Sequence, residues 1–456
     1  MLQLNCLLIL FIKRASEKNK KMNIFISTLF PLLYTEFLRT SLIKKALENN
    51  IITVSLLNMF DFIPQKKRID APIVGHGAGV LIGAPVVQAV VEHVREKSIG
   101  KKPFTIFFSP HGKLLDQRNL QILLRRIQDA DNQVLLVSGR YEGFDVRAEE
   151  EYADEVVSIG NYVLCGGDLP AMVFVEAISR LIEGVVGDKS SVEHDSFSGG
   201  LVDFPHYAAP EVWKERKIPE ILKSGNHQLV DQWRLEKSIE RTISKHWKWL
   251  TEYKITQSLK QLIAKKIPHH YCALLHNDIV LKDGSIGNST VTSTDIHDIA
   301  RASKTYGIVE YFIITRITAQ QELANRFLDF WNEDEAQRLN PSRASALAFV
   351  SVKKEIKDCV EYIYEKEGKL PLVVVTSSRR ETTHECMITF HDQERVWKEN
   401  RPVLFIFGTS HGISLDIMNE CDYRLIPIEG LEEFNFLSVR SAVSIVLDRW
   451  LGFNYY

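Results

Sequence analysis

Two glycine-bearing segments carry the residue types from which a ligand pocket could be built. Ser138-Gly-Arg-Tyr-Glu-Gly-Phe-Asp145 follows directly on the apolar run Val134–Val137, and Ser158-Ile-Gly-Asn-Tyr-Val-Leu-Cys-Gly-Gly-Asp-Leu-Pro170 leads into a helical pattern. In open α/β sheets ligands bind beyond the carboxyl ends of strands, and both segments fall at such ends. Neither has a Lys or Arg close-packed for a pyrophosphate. Their glycines would let backbone N–H and C=O groups approach an uncharged, adenosine-like ligand. Taken singly, each segment reads equally well as an ordinary strand-to-helix turn.

Other candidates carry less chemistry. Gly75-His-Gly-Ala-Gly79 has the spacing G-x-G-x-G, not the G-x-G-x-x-G of a dinucleotide loop, and a poor strand precedes it. Gly112-Lys113 is followed by Leu114, so no phosphate-cradling loop of the G-K-[ST] kind occurs. His269-His270 and His384-Glu-Cys386 lack metalloprotease spacing, because Ile388 stands where the second His would be; no metal site is expected. The six cysteines (Cys6, Cys165, Cys272, Cys359, Cys386, Cys421) are scattered without a C-x-x-C pair, which fits a reducing, cytoplasmic setting rather than a disulfide scaffold.

The elements that must position these residues follow from hydrophobic patterning. Strands are expected at Ile24–Leu29, Ile52–Leu57, Phe104–Ser109 and Val134–Ser138, with helices at Ser41–Asn49, Pro85–Arg95, Leu115–Ile127 and Leu169–Glu183. Such alternation argues for an α/β parallel sheet over residues 22–186. Residues 187–200 read as a flexible, Gly/Ser-rich linker. Residues 201–266 read as a mostly helical module carrying Trp213, Trp233, Trp247 and Trp249. A second α/β block spans 271–456, with strands at Tyr271–Leu275, Tyr311–Thr315, Leu372–Thr376 and Val403–Phe407 and helices at Ser293–Thr305, Gln320–Asn332 and Ser438–Trp450.

With 456 residues, 45% of them hydrophobic and 25% charged, the chain is globular and multi-domain. Its net charge of −2 excludes a uniformly basic nucleic-acid coat, so any polyanion must meet a local patch. The early apolar run, Cys6 to Ile12, is too short to span a bilayer and lies on the wrong side of its basic cluster for a signal peptide. Residues 1–21 are therefore expected to be a dispensable extension, with Met22 the functional start.

Longer motifs, in order, closely resemble the bacterial tRNA (guanine-N1)-methyltransferase family. They are Ser109-Pro-His-Gly112, the two glycine segments above, Asp195-Ser-Phe197, Gly200-Leu-Val-Asp-Phe-Pro-His-Tyr207 and Leu222-Lys-Ser-Gly-Asn-His-Gln228. The resemblance covers about residues 22–250. It implies a deep trefoil knot of the SPOUT type, an exception to the rule that chains do not thread. It also implies methyl transfer from S-adenosylmethionine to N1 of the guanosine just 3′ of the anticodon, position 37 of tRNA, by a homodimer. The chain departs from the family at His76 and Ala78 in the first glycine loop and at Cys165, where Ser is common.

Guanine N1 must lose a proton, and the resemblance places the accepting carboxylate at Asp195. It places at Arg180 the guanidinium that meets charge developing on O6. The cofactor pocket it implies comprises Pro110, Gly139, Glu142, Ser158, Ile159, Tyr162, Leu164, Gly166 and Gly167. Asp203, His206 and Tyr207 are expected at the RNA surface, where Trp213 could stack. Lys214, Arg216, Lys217, Lys223, Arg234 and Lys237 are candidate phosphate contacts. Magnesium is a further cofactor that the resemblance admits, with no ligand set legible.

The second block is similar to another bacterial family of predicted RNA methyltransferases of the same knotted superfamily. Asn288 to Gly307, Phe407-Gly-Thr-Ser-His-Gly-Ile413 and Asn435-Phe-Leu-Ser-Val-Arg-Ser-Ala442 carry that likeness. It implies cofactor contacts at Gly408, Thr409, Gly412, Leu437 and Ser438, with Arg301 and Arg440 as RNA or catalytic contacts or as structural ion pairs. The whole chain thus reads as two knotted α/β domains flanking a helical tRNA-binding module. The second domain is either a methyltransferase of unknown target or a non-catalytic RNA-binding or dimerisation module.

Overall fold

Strands whose successive residues are all buried need cover on both faces, and the computed structural model supplies it twice. It describes residues 21–64, 67–75, 77–98, 102–187, 195–379 and 386–454. Residues 1–20 of the expected N-terminal extension therefore lie outside the described residues, as do His76, residues 188–194 of the expected linker and His384. The chain divides into two compact units, one ending at Ser198 and the other beginning at Gly199. No described helix is long and apolar enough to cross a membrane.

The first unit is a five-stranded sheet. Its strands are β1 (Met22–Thr28), β2 (Ile52–Asn58), β5 (Phe104–Leu114), β6 (Gln133–Val137) and β7 (Glu155–Ser158), with β3 (Asp70–Pro72) and β4 (Val80–Ile82) forming a separate hairpin. Their order is β2-β1-β6-β5-β7, and every pairing is parallel. Ile24, Ile26, Val134, Leu136, Phe104 and Ile106 face one side, where α1 (Ser41–Glu48), α3 (Gln117–Asp129) and α5 (Asp168–Leu181) cover them. Phe25, Leu135, Val137 and Phe107 face the other, under α2 (Ala84–Lys97). Ala171, Phe174, Val175 and Ile178 recur at helical spacing, so α5 buries one stripe.

Two features differ from the sequence expectation. β5 runs on to Leu114, because after a register shift between Phe108 and Lys113 the chain pairs Lys113 with Val157 and Leu114 with Ser158. The partner strand β7 is new: it has four residues, of which only Val156 and Val157 are apolar.

The second unit opens with a small hairpin, β8 (Val212–Trp213) and β9 (Arg216–Lys217), and three helices, α6 (His227–Lys245), α7 (Trp247–Glu252) and α8 (Gln257–Ala264). A seven-stranded sheet follows. It comprises β10 (His270–Leu275), β13 (Tyr311–Ile314), β14 (Val350–Lys353), β15 (Leu372–Thr376), β16 (Met387–Ile388), β17 (Val403–Gly408) and β18 (Tyr423–Leu425). β11 (Ile279–Val280) and β12 (Ile286–Gly287) form a hairpin beside it. The sheet is parallel throughout, in the order β14-β13-β10-β17-β15-β18-β16. One face is covered by α9 (Ser293–Thr305), α10 (Thr318–Asn332) and α12 (Val439–Leu451). The other face carries α11 (Ile356–Glu367). Ile239, Ile243, Trp247, Leu250 and Ile263 of the three leading helices join that first core, where Trp247 meets Trp397 edge-on at 4.7 Å.

Candidate active sites

Every residue expected at the first cofactor site lines a single cavity of about 200 Å3 at the carboxyl end of the first sheet. The loop after β6 and the loop after β7 close on each other to make it. Gly167 N–H donates to Gly139 O at 2.8 Å, and Arg140 and Gly166 form an antiparallel bridge. A Cβ at Gly166 would stand 2.5 Å from Arg140 Cδ and 2.8 Å from Gly139 O, so this approach requires glycine. The rim is apolar and open, with Tyr162 and Val163 exposed. A narrow, glycine-walled hollow with an apolar rim suits an adenosine-bearing ligand.

The cavity wall is tied down from below. Asp168, at the start of α5, is buried and takes an ion pair from Arg140 at 3.0 Å. It also accepts from the Thr28 hydroxyl at 2.5 Å and the Tyr34 hydroxyl at 3.1 Å. Burial, and next to it the Asp168 charge, push the Tyr34 phenol well above its ordinary pKa, so it stays a donor. One carboxylate thus joins the end of β1, the loop after β6 and the head of α5. Arg140 lies over the Phe30 ring at 4.7 Å and is engaged by the protein itself.

Arg180 and Asp195 are brought together. Arg180 sits in the last turn of α5, and its Nη2 lies 2.5 Å from Asp195 Oδ2. Asp195 begins a turn in which Ser198 N–H donates to its carbonyl at 3.1 Å. Both side chains remain more than one-third exposed. A donor and an acceptor side by side match the edge of a guanine, where the N1–H donor adjoins the O6 acceptor.

Asp203, His206 and Tyr207 lie in the second unit, near the start of its helical part. His206 Nε2 is 3.4 Å from Asp203, and Tyr207 lies 6.3 Å from Trp233, centroid to centroid. Trp213 is exposed on the β8–β9 hairpin with Lys214 over its ring. Several candidate phosphate contacts are already paired: Lys223 with Glu211 and Glu220, Arg234 with Asp231, and Lys237 with Glu240.

In the second sheet, Gly408, Thr409, Gly412, Leu437 and Ser438 all line one cavity of about 480 Å3. Gly412 has φ +100°, a conformation that a side chain would strain. Ser438 caps α12 by accepting from Ser441 N–H. Thr409 donates to Leu275 O at 3.1 Å and lies 2.5 Å from Ser289 Oγ, which in turn is 2.9 Å from His276 Nδ1. Burial holds the His276 imidazole down to about 4, so the ring is neutral at pH 7. Arg440 pairs with Asp295 at 3.1 Å. Arg301, on the same helix as Asp295, is exposed and does not line the cavity.

Sequence reading missed Ser289, Asp295 and the Thr376–Ser378 turn of this lining. The first two fall inside the Asn288–Gly307 motif, so a signal existed, but it pointed to a segment rather than to the residues facing inward. Thr376–Ser378 carries no motif. Among the described residues no group of three or more His, Cys, Asp or Glu side chains converges as a metal site.

Comparison with known proteins gives two family matches in succession along the chain. Residues 22–252 match the family described as tRNA (Guanine-1)-methyltransferase TrmD, and residues 269–452 match one described as SAM-dependent RNA methyltransferase. A tRNA (guanine-N(1)-)-methyltransferase of Oleidesulfovibrio alaskensis is 34% identical over 434 residues, 94% of this chain and 98% of its own. One of Alkaliphilus oremlandii is 35% identical and aligns along 100% of its length with 54% of this chain. The crystal structure of the tRNA (m1G37) methyltransferase from Aquifex aeolicus aligns with a TM-score of 0.41 at 26% identity. It covers 50% of this chain and 93% of that one.

Proposed function

The chain belongs to the tRNA (guanine-N1)-methyltransferase family, and from that premise we propose that it methylates N1 of the guanosine at position 37 of tRNA, beside the anticodon. The observation that carries this reading is the Arg180–Asp195 pair. In it, Asp195 takes the N1 proton and Arg180 hydrogen-bonds O6 as charge moves there. S-Adenosylmethionine, held in the first cavity, supplies the methyl carbon for in-line attack. Among the residues lining that cavity, Ile159, Tyr162 and Leu164 would flank its adenine, backbone groups at Gly139 and Gly166 would read the adenine edge, and Glu142 would meet its ammonium. Part of the rate gain is positional, because the target base must be unstacked and held. Asp203, His206 and Tyr207, with the exposed Trp213, serve the RNA side.

Further parts of this reading concern shape, assembly and place. After β7 the chain turns back past β5 to pair at Gly139 before entering α5, a return path that fits a trefoil knot. The family resemblance supports a homodimer and a cytosolic site of action. The 187–200 segment acts as the active-site linker, and residues 201–266 act as the tRNA-binding module. The second sheet, as a SAM-dependent RNA methyltransferase domain, uses the larger cavity for its own cofactor, at Gly408, Thr409, Gly412, Leu437 and Ser438.

The test is methyl transfer from labelled S-adenosylmethionine to unmodified tRNA, with nucleoside mapping, comparing the full chain with Asp195→Ala. N1-methylguanosine beside the anticodon, lost in the variant, is the expected result. Label that persists in the variant at another nucleotide identifies the target of the second domain. Folded, cofactor-binding protein that yields no N1-methylguanosine would remove the substrate assignment.

A further inference from the structure

A short chain of hydrogen bonds leads from the first cavity to the surface. Ser109 lines that cavity, and its Oγ lies 2.7 Å from His111 Nδ1. His111 Nε2 lies 2.9 Å from Oε1 of Glu149, in the short helix α4 (Val146–Tyr152). For a neutral ring, valence fixes the directions. A carboxylate only accepts, so Nε2 carries the ring proton and donates it. Nδ1 is then a bare acceptor, and the proton between it and Ser109 is the one on the serine hydroxyl. That hydroxyl has a single proton, now turned away from the cavity. Ser109 therefore faces the cavity with oxygen lone pairs alone.

We propose that His111 is a positioning residue of the methyl-transfer site. Held by Glu149, it fixes Ser109 as a hydrogen-bond acceptor for a donor group of the bound cofactor, its ammonium or a ribose hydroxyl. This rests on the reading of the first unit as a SAM-dependent methyltransferase. The backbone under His111 is firm. Next to it, a Cβ at Gly112 would stand 2.6 Å from Val157 N, so β5 is pressed against β7 at this point. The ring itself is largely exposed, with 65% of its side-chain surface accessible, yet both nitrogens are engaged, by groups on two different elements.

The experiment is steady-state methyl transfer by the full chain to unmodified tRNA, with S-adenosylmethionine varied. His111→Ala is compared with His111→Asn, whose Oδ1 can occupy the place of Nδ1 as an acceptor. His111→Ala is expected to raise the KM for cofactor about three- to tenfold, with kcat changed less than about twofold. His111→Asn is expected to restore the KM. Binding of 5′-methylthioadenosine, which has no ammonium, separates the two donors. Weakening by His111→Ala assigns the ribose, and unchanged binding assigns the ammonium. His111→Ala with the wild-type KM would overturn the proposal. So would a His111→Asn that is as impaired as His111→Ala while melting at the wild-type temperature. If the wild type forms no N1-methylguanosine, the reading of the first unit fails instead. Binding of S-adenosylhomocysteine by wild type, His111→Ala and His111→Asn then decides the role of His111 by the same criteria.

Discussion

The Arg180 guanidinium lies 2.5 Å from the Asp195 carboxylate, although the two residues reach each other from the end of a helix and from a loop. The pair is partly exposed, so its attraction adds little to folding. Its value is geometric, since it sets a donor beside an acceptor where one base edge can engage both.

Substitution of this pair should therefore act on chemistry rather than on stability. Arg180→Ala is expected to lower kcat about 10²–10³-fold for N1-methylguanosine formation. S-Adenosylhomocysteine affinity and melting temperature should stay near wild type. Because the two side chains act on one transition state, Arg180→Ala combined with Asp195→Ala should cost about as much as the worse single change. Single-turnover methyl transfer on unmodified tRNA measures both.

The Asp168 cluster makes the opposite prediction. Asp168→Asn keeps the size of the side chain but leaves Arg140 without its counter-charge in a largely buried setting, at a cost of about 3 kcal/mol. The first transition in denaturant unfolding should move to lower denaturant. Cofactor affinity should fall with it, since Arg140 and Gly166 share the cavity wall.

His270 should give the second unit an acid-sensitive stability. Its buried Nε2 accepts from the indole N–H groups of both Trp397 and Trp450 at 3.1 Å. Burial depresses its pKa from 6.5 to about 3. The unfolded chain then binds a proton below about pH 6.5 that the folded chain refuses. The stabilisation is complete above that pH and is lost as the pH falls toward 3, by up to about tenfold in the folding equilibrium per pH unit. His276, held down to about 4, adds to the same trend. Unfolding followed by indole fluorescence at about pH 7 and pH 5 tests this. His270→Phe should be less stable at the higher pH, by about 2–4 kcal/mol for two unpaired indole N–H groups, yet show a shallower dependence on pH.

Much of the frame was legible because fully buried parallel strands read as unbroken apolar runs, as in Val134–Val137 and Val403–Phe407. What escaped was held by partners distant in sequence. β7 has too few apolar residues to announce itself, and β5 continues through Ser109-Pro-His-Gly only because β7 waits beside it. The two cavities were legible as loops with long motifs, and every residue assigned to them lines them. The hydrogen-bonded supports behind those loops were not. Asp168 under Arg140, Glu149 behind His111 and His276 behind Ser289 are single polar residues whose partners no local pattern identifies.

The match to the first family ends at residue 252, but the physical division falls at residue 198. Between those points, Ile239, Ile243, Trp247 and Leu250 are buried in the core of the second unit. A chain cut at residue 252 would leave these side chains bare on one fragment and the core face they cover bare on the other.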